Sequence, residues 1–267
     1  GRRAALGTYN FFGDVGKFAF GGTVSLLLLA GIGWQAPVAV FGVLGIATAA
    51  AVMLFVVDTH ARRASGSAPE AGRVRGWGIR SPRGFTALCL IEILDSSTRT
   101  GFLTFIAFLL IARGIPEAWA ALAVPLVLVG GMAGKLACGF LAERVGIVRT
   151  VVLTECATGV GILATVVLPG LGALLLLPLI GVFLNGTSSV LYATIGDLVE
   201  RDRLPRAFGL FYTLGSLCGI AAPLGYGLLG DRVGLETVLT AIGLAVFLTV
   251  PLCLLLSPAV RREHAAT

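Results

Sequence analysis

The chain has 267 residues, 57% of them hydrophobic and 13% charged, with a mean hydropathy of +0.95. A soluble domain of this length has no interior large enough to hide that much apolar surface, which excludes a soluble enzyme or binding module and leaves a polytopic membrane protein. The formal net charge of +6 implies no nucleic-acid partner, because the basic residues fall where membrane topology puts them.

Eight apolar segments follow one another, at about Ala4–Ala30, Val38–Val57, Phe85–Ala112, Trp119–Leu141, Thr150–Leu168, Leu171–Ile195, Ala207–Leu229 and Thr237–Leu255. Most approach the ~20 residues a spanning helix requires, and the alternation of a membrane barrel is absent. The pattern predicts an all-α membrane protein, a polytopic helical bundle of eight spans. Of the 20 Lys and Arg residues, only Arg113 and Arg232 fall on the side opposite the N-terminus, while Lys17 and Arg99 lie within spans. The rest gather on the N-terminal side. By the positive-inside rule that side is cytoplasmic, with both ends of the chain on it, in the cell (plasma or inner) membrane.

On the first span, Asn10, Asp14 and Lys17 recur at spacings of four and three and share a face. Asp58–Arg83 is basic and rich in Gly, Ala, Ser and Pro, the composition of a cytoplasmic linker. Its arginines also suit contact with anionic lipid. The third span carries Glu92, Asp95 and Arg99 on one stripe with Ser96. Each ionisable group at bilayer depth costs roughly 2.5–3.5 kcal/mol, so it faces protein or a watery cavity. By a rise of ~1.5 Å per residue, Lys17 and Asp95 lie at similar depth. These charges either face a central cavity that holds an ionic solute or neutralise one another as local pairs, Asp14 with Lys17 and Asp95 with Arg99. Self-pairing still leaves Glu92 over, which makes it the candidate for proton coupling, since its protonation changes the charge of the cavity. Glu155 is read as lying near the inner end of the fifth span, snorkelling to water or pairing with Arg149. Asn185, Ser189 and Tyr192 form a polar stripe on the sixth span, and Tyr212 and Ser216 another on the seventh; such stripes serve helix–helix hydrogen bonds more often than ligands. On the seventh span Gly215, Gly219, Pro223 and Gly227 recur every four residues, a small-residue stripe that admits a close neighbour.

Cys89, Cys138, Cys156, Cys218 and Cys253 are scattered in apolar runs, and His60 and His264 fall in polar segments. Neither a metal site, a cofactor loop nor a catalytic constellation is expected, so the chain is not read as an enzyme.

Ala5–Gly13 aligns position for position with Ala207–Gly215, each opening a span that leaves the cytoplasm. The first and seventh spans are thereby matched, which suggests a six-helix repeat. Between the fourth and fifth spans stands Gly139-Phe-Leu-Ala-Glu143-Arg144-Val-Gly146-Ile-Val-Arg149. This resembles the G-x-x-x-D-R-x-G-R-[RK] loop signature of the major facilitator superfamily, with Glu143 for Asp and Ile147 for the usual arginine after the second glycine. A related Gly227-Leu-Leu-Gly-Asp231-Arg232-Val-Gly234 occurs on the other side. Lys17-Phe-Ala-Phe-Gly21-Gly22 is similar to the end of the family's antiporter signature, but Lys17 and Phe18 stand where that signature has Gly and Pro. The resemblance implies a partial major-facilitator-type fold, helices five to twelve of a twelve-helix member, the other four preceding Gly1. Residues 1–57 would then be the last two helices of an N-terminal six-helix bundle, 58–83 the linker, and 84–267 the C-terminal bundle. It further implies that the sixth span lines the cavity, which adds Asn185 to the binding candidates. Gly139, Glu143, Arg144, Gly146 and Arg149 become a conformational loop.

The function expected is secondary transport of a small, ionic or zwitterionic solute by alternating access, as efflux or as metabolite carriage, coupled to protons and carried out by a monomer. The alternative is a non-transporting receptor or assembly factor on the same fold.

Overall fold

The computed structural model describes residues 2–55 and 76–266, with the side chains of residues 13, 15–54 and 76–260. The helices are α1 (Arg2–Leu29), α2 (Gln35–Phe55), α3 (Pro82–Ala112), α4 (Ala123–Val145, after a single turn Glu117–Ala120), α5 (Ile147–Val167), α6 (Gly170–Leu198) and α7 (Leu204–Val233). The last span is broken into α8 (Leu235–Ala245) and α9 (Thr249–Ala266), joined by the 3-10 turn Val246–Leu248. Seven helical stretches among the described residues are long and apolar enough to cross a membrane, and Val15–Leu29 within α1 is a shorter apolar one. The chain is a multi-pass integral membrane protein. Most of Asp58–Arg83 lies outside the described residues.

Local chemistry sets where the helices begin and end. α3 starts at Pro82, three residues before the apolar run, because Ser81 caps it: its hydroxyl accepts the Gly84 N–H at 3.3 Å, and proline fits the first helical position. Gly146 (φ 90°, ψ 155°) turns α4 into α5, and Gly234 (φ 86°, ψ 159°) turns α7 into α8. Only glycine takes that backbone without strain. Both turns close an Arg-Val-Gly sequence, and the alternation of spans puts them at opposite ends of the bundle. The final span, expected as one run over Thr237–Leu255, is interrupted where the Phe247 ring packs against Gly159 of α5.

Packing is closest where glycine lets backbone meet backbone. A Cβ at Gly130 would fall 1.8 Å from the Pro178 carbonyl oxygen, one at Gly134 2.0 Å from that of Val182, and one at Gly181 2.1 Å from that of Val127. α4 and α6 therefore touch along their main chains. The expected stripe on α7 faces α3: Gly215 meets Glu92 and Ser96, Gly219 meets Thr100, and Gly227 meets Phe105. α1 docks on the start of α4, its Ser25 hydroxyl reaching the Ala121 carbonyl at 2.8 Å. At the opposite end from the Gly146 turn, Arg113 caps α5 by donating to the carbonyls of Thr165 (2.8 Å), Val166 and Leu168, and pairs with Glu236 of α8 at 2.8 Å. Residues 76–80, which lead into α3, pair antiparallel with the α6–α7 connection. Ile79 bridges Val199, Arg80 N–H donates to Leu198 at 3.0 Å, and Glu200 N–H to Gly78 at 2.9 Å.

The apolar core is in two parts. One holds Leu88, Ile91, Val151, Leu191, Ile195, Phe211 and Leu256. The other holds Phe102, Ile106, Val127, Ile162, Leu177, Leu184 and Ile242. Along α3 the gap between them runs from Glu92 to Gly101, along α5 from Thr154 to Thr158, and along α6 it falls at Thr187 and Ser188. The candidate site occupies that gap.

Candidate functional site

A helix that must cross lipid hides polar side chains on the face it turns to its neighbours. α3, α5 and α6 do so at the same depth. Glu92 is 1% exposed, Asp95 2% and Glu155 2%, with Ser96, Thr98, Thr154, Thr158, Thr187 and Ser188 buried beside them. Arg99 Nη1 stands 3.2 Å from Asp95 Oδ2, one turn apart on α3. This is an ion-pair contact without hydrogen-bond alignment, so Oδ2 makes no hydrogen bond. Ser96 donates to the Gly215 carbonyl of α7 at 2.9 Å, and Thr187 of α6 to the Thr154 hydroxyl of α5 at 2.8 Å. Arg99 is faced by Asp95, Glu92, Tyr192 and Glu155.

The layer opens on one side into a cleft of about 200 Å³ lined by Glu92, Ser96, Arg99, Tyr192, Tyr212, Gly215 and Ser216. The rings of Tyr192 and Tyr212 lie 5.0 Å apart, and Tyr192 sets its edge to Phe211 at 5.6 Å. Glu92 Oε2 is buried with no hydrogen-bond partner, while a Cβ at residue 215 would lie 2.7 Å from its Oε1. Glycine at 215 makes room for the carboxyl. The cleft thus offers an acid, a guanidinium, two serine hydroxyls and two tyrosines, a set that suits a small charged or zwitterionic solute. Ligand pockets commonly run from roughly 300 Å³ upward, and this cleft is smaller than that. A wider groove of about 690 Å³, lined by Phe20, Phe41, Leu44, Val52 and Met53, is apolar and has no charged group.

Of the candidates read from the sequence, Glu92 and Arg99 line the cleft and Asp95 lies behind them. The side chains of Asn10 and Asp14 lie outside the described residues, and Lys17 is exposed and lines no part of the cleft. Asn185 packs on Gly131 of α4, its Nδ2 buried without a partner. Glu143, Arg144, Gly146 and Arg149 are exposed at the α4–α5 turn, and Gly139 has no neighbour within 4 Å of a Cβ. Gly139 therefore serves no close approach.

Glu155 requires a correction. It neither snorkels nor meets the exposed Arg149; it is buried beside Asp95 and Thr187. α5 begins at Ile147, so Glu155 is about 12 Å in from its start. The readable signal was the face Val151, Thr154, Glu155, Thr158 and Ile162, whose spacing aims the acid at the core. Tyr192 and Tyr212, expected in stripes that serve helix–helix hydrogen bonds, line the cleft with the acid. Among the described residues no group of three or more His, Cys, Asp or Glu is placed to hold a metal ion.

The family model described as Major Facilitator Superfamily matches the chain over residues 1–223 and again over 88–267. No curated protein matches it.

Proposed function

Because the chain belongs to the major facilitator superfamily, and so is a membrane transporter of that type, we propose that it moves a small ionic or zwitterionic solute by alternating access, with Glu92 exchanging the coupling proton. The observation that carries this reading is the buried, unpartnered Glu92 Oε2 at the edge of a cleft that also holds Arg99. An acid there binds a proton or a cationic group of the solute, while Arg99 and the hydroxyls receive an anionic or polar part. Residues 84–267 form one bundle and 1–57 belong to a second, which completes the site opposite Tyr212 and Ser216 and brings Asn10, Asp14 and Lys17 to the same central space. Asn185 supports the cavity wall from behind, and the Glu143–Arg149 turn rearranges as the bundles rock. The protein acts as a monomer in the cell membrane, with the Gly146 turn on the cytoplasmic side.

The test uses the full-length protein in proteoliposomes. Substrate-driven counterflow separates a transporter from a receptor, which binds without exchange. Glu92→Gln is expected to keep counterflow and to lose the dependence of net uptake on the pH gradient. An unchanged pH dependence removes Glu92 from the coupling role.

A further inference from the structure

Three carboxyls and one guanidinium share the polar layer, and with all four ionised it would hold an uncompensated double negative charge inside the membrane. Such burial is costly enough that protons must be retained. The geometry says where. Asp95 of α3 and Glu155 of α5 are both buried and face each other in the layer. Ionised carboxylates only accept, so a hydrogen bond between two of them requires a proton on one. The neighbours decide which. Asp95 has Arg99 at 3.2 Å, a contact that favours its ionised form. Arg99 also faces Glu155, but its ion-pair contact is with Asp95. The other groups around Glu155 are uncharged: Thr187 from α6 and Cys253 from α9. Tyr192 of α6 stands by Glu92 and Arg99, and Cys89 by Glu92 on α3 itself; both are neutral in the membrane.

We propose that Glu155 is a positioning residue held as the neutral acid, its hydroxyl donating to the Asp95 carboxylate, which fixes the Asp95–Arg99 ion pair and leaves Glu92 as the carboxyl that exchanges its proton through the cleft. The retained proton is part of the packing and does not turn over. It keeps Arg99 turned towards Asp95, so that a solute meets a guanidinium already held in place. Only the statement about Glu92 rests on the transport reading; the protonated pair stands or falls alone.

Infrared spectroscopy of the purified full-length protein in lipid reads the carbonyl stretch of a protonated carboxyl directly. In a Glu92→Gln background the band is expected to remain at neutral and mildly alkaline pH. Adding Glu155→Gln is expected to abolish it. In thermal unfolding Glu155→Gln should stay within about 2 °C of the parent, because its amide N–H donates where the acid did, whereas Glu155→Ala should fall by roughly 5 °C or more. A band that survives Glu155→Gln overturns the proposal. So does a Glu155→Gln protein as unstable as Glu155→Ala, since the amide N–H would then not be replacing a donor to Asp95. Loss of the band together with an unaltered pH dependence of transport in Glu92→Gln would uphold the pair and sink the coupling role.

Discussion

Arg99 stands between two acids that differ in what else holds them. Asp95, one turn away, meets it at 3.2 Å, and Glu92 shares the cleft with it. Removing one member of a buried pair strands the other charge, typically at 3–5 kcal/mol, whereas removing both is close to neutral. With its side chain 20% exposed, Arg99 belongs at the low end. Arg99→Gln is expected to cost about 3 kcal/mol, and Asp95→Asn/Arg99→Gln to recover most of it, measured by thermal unfolding in detergent. A double variant no better than the single would show that the pair is not what the layer depends on. Glu92, Asp95 and Arg99 were legible because three charges at helical spacing stand out in an apolar run. Glu155 was not, because the apolar pattern begins at Thr150 while α5 begins at Ile147, so its depth from the helix end was underestimated. Asn185 was placed by analogy with a cavity-lining helix, and its side chain turns to α4 instead.

Between elements, the closest contacts are made by glycines that meet carbonyl oxygens. Gly134→Ala puts a methyl 2.0 Å from Val182 O, so α4 and α6 must separate. A destabilisation of roughly 2 kcal/mol or more is expected. Gly139→Ala, with nothing within 4 Å, should be neutral or gain up to about 1 kcal/mol from better helix propensity. Equal behaviour of the two would mean that α4 and α6 do not touch as described. The α7 stripe was readable because its small residues repeat every four positions. The α4–α6 contact was not, since the partners of its glycines are the main-chain carbonyls of Pro178 and Val182, which no side-chain pattern reports. Arg113 makes a related point about charge. Its carbonyl contacts tie the end of α5, while Glu236 is 63% exposed and its pairing is screened. Arg113→Ala is therefore expected to lower the unfolding temperature clearly more than Glu236→Gln, which should cost no more than about 1 kcal/mol.

At the scale of the molecule, two apolar clusters sandwich a polar layer, and the bilayer accounts for both. Lipid forces unpaired polar groups inward, and matching them at one depth lets them satisfy one another. The class and number of spans were legible because hydropathy is a property of whole segments. Where the spans meet is a property of facing surfaces, and one chain's pattern does not record it. The alternation of helices puts the Gly146 and Gly234 turns on opposite faces of the membrane. With Cys89, Cys138, Cys156, Cys218 and Cys253 replaced, Arg144→Cys should be labelled by an impermeant thiol reagent from the cytoplasmic side only and Arg232→Cys from the outside only. Labelling of both from one side would contradict the span order. The bridge between Ile79 and Val199 gives the same architecture a mechanical property. A pull arriving at Gly76 reaches the α6–α7 junction before it reaches α3, and it loads the Arg80–Leu198 and Glu200–Gly78 hydrogen bonds side by side, in shear. The two helices so loaded, α6 and α7, are those that carry Tyr192 and Tyr212.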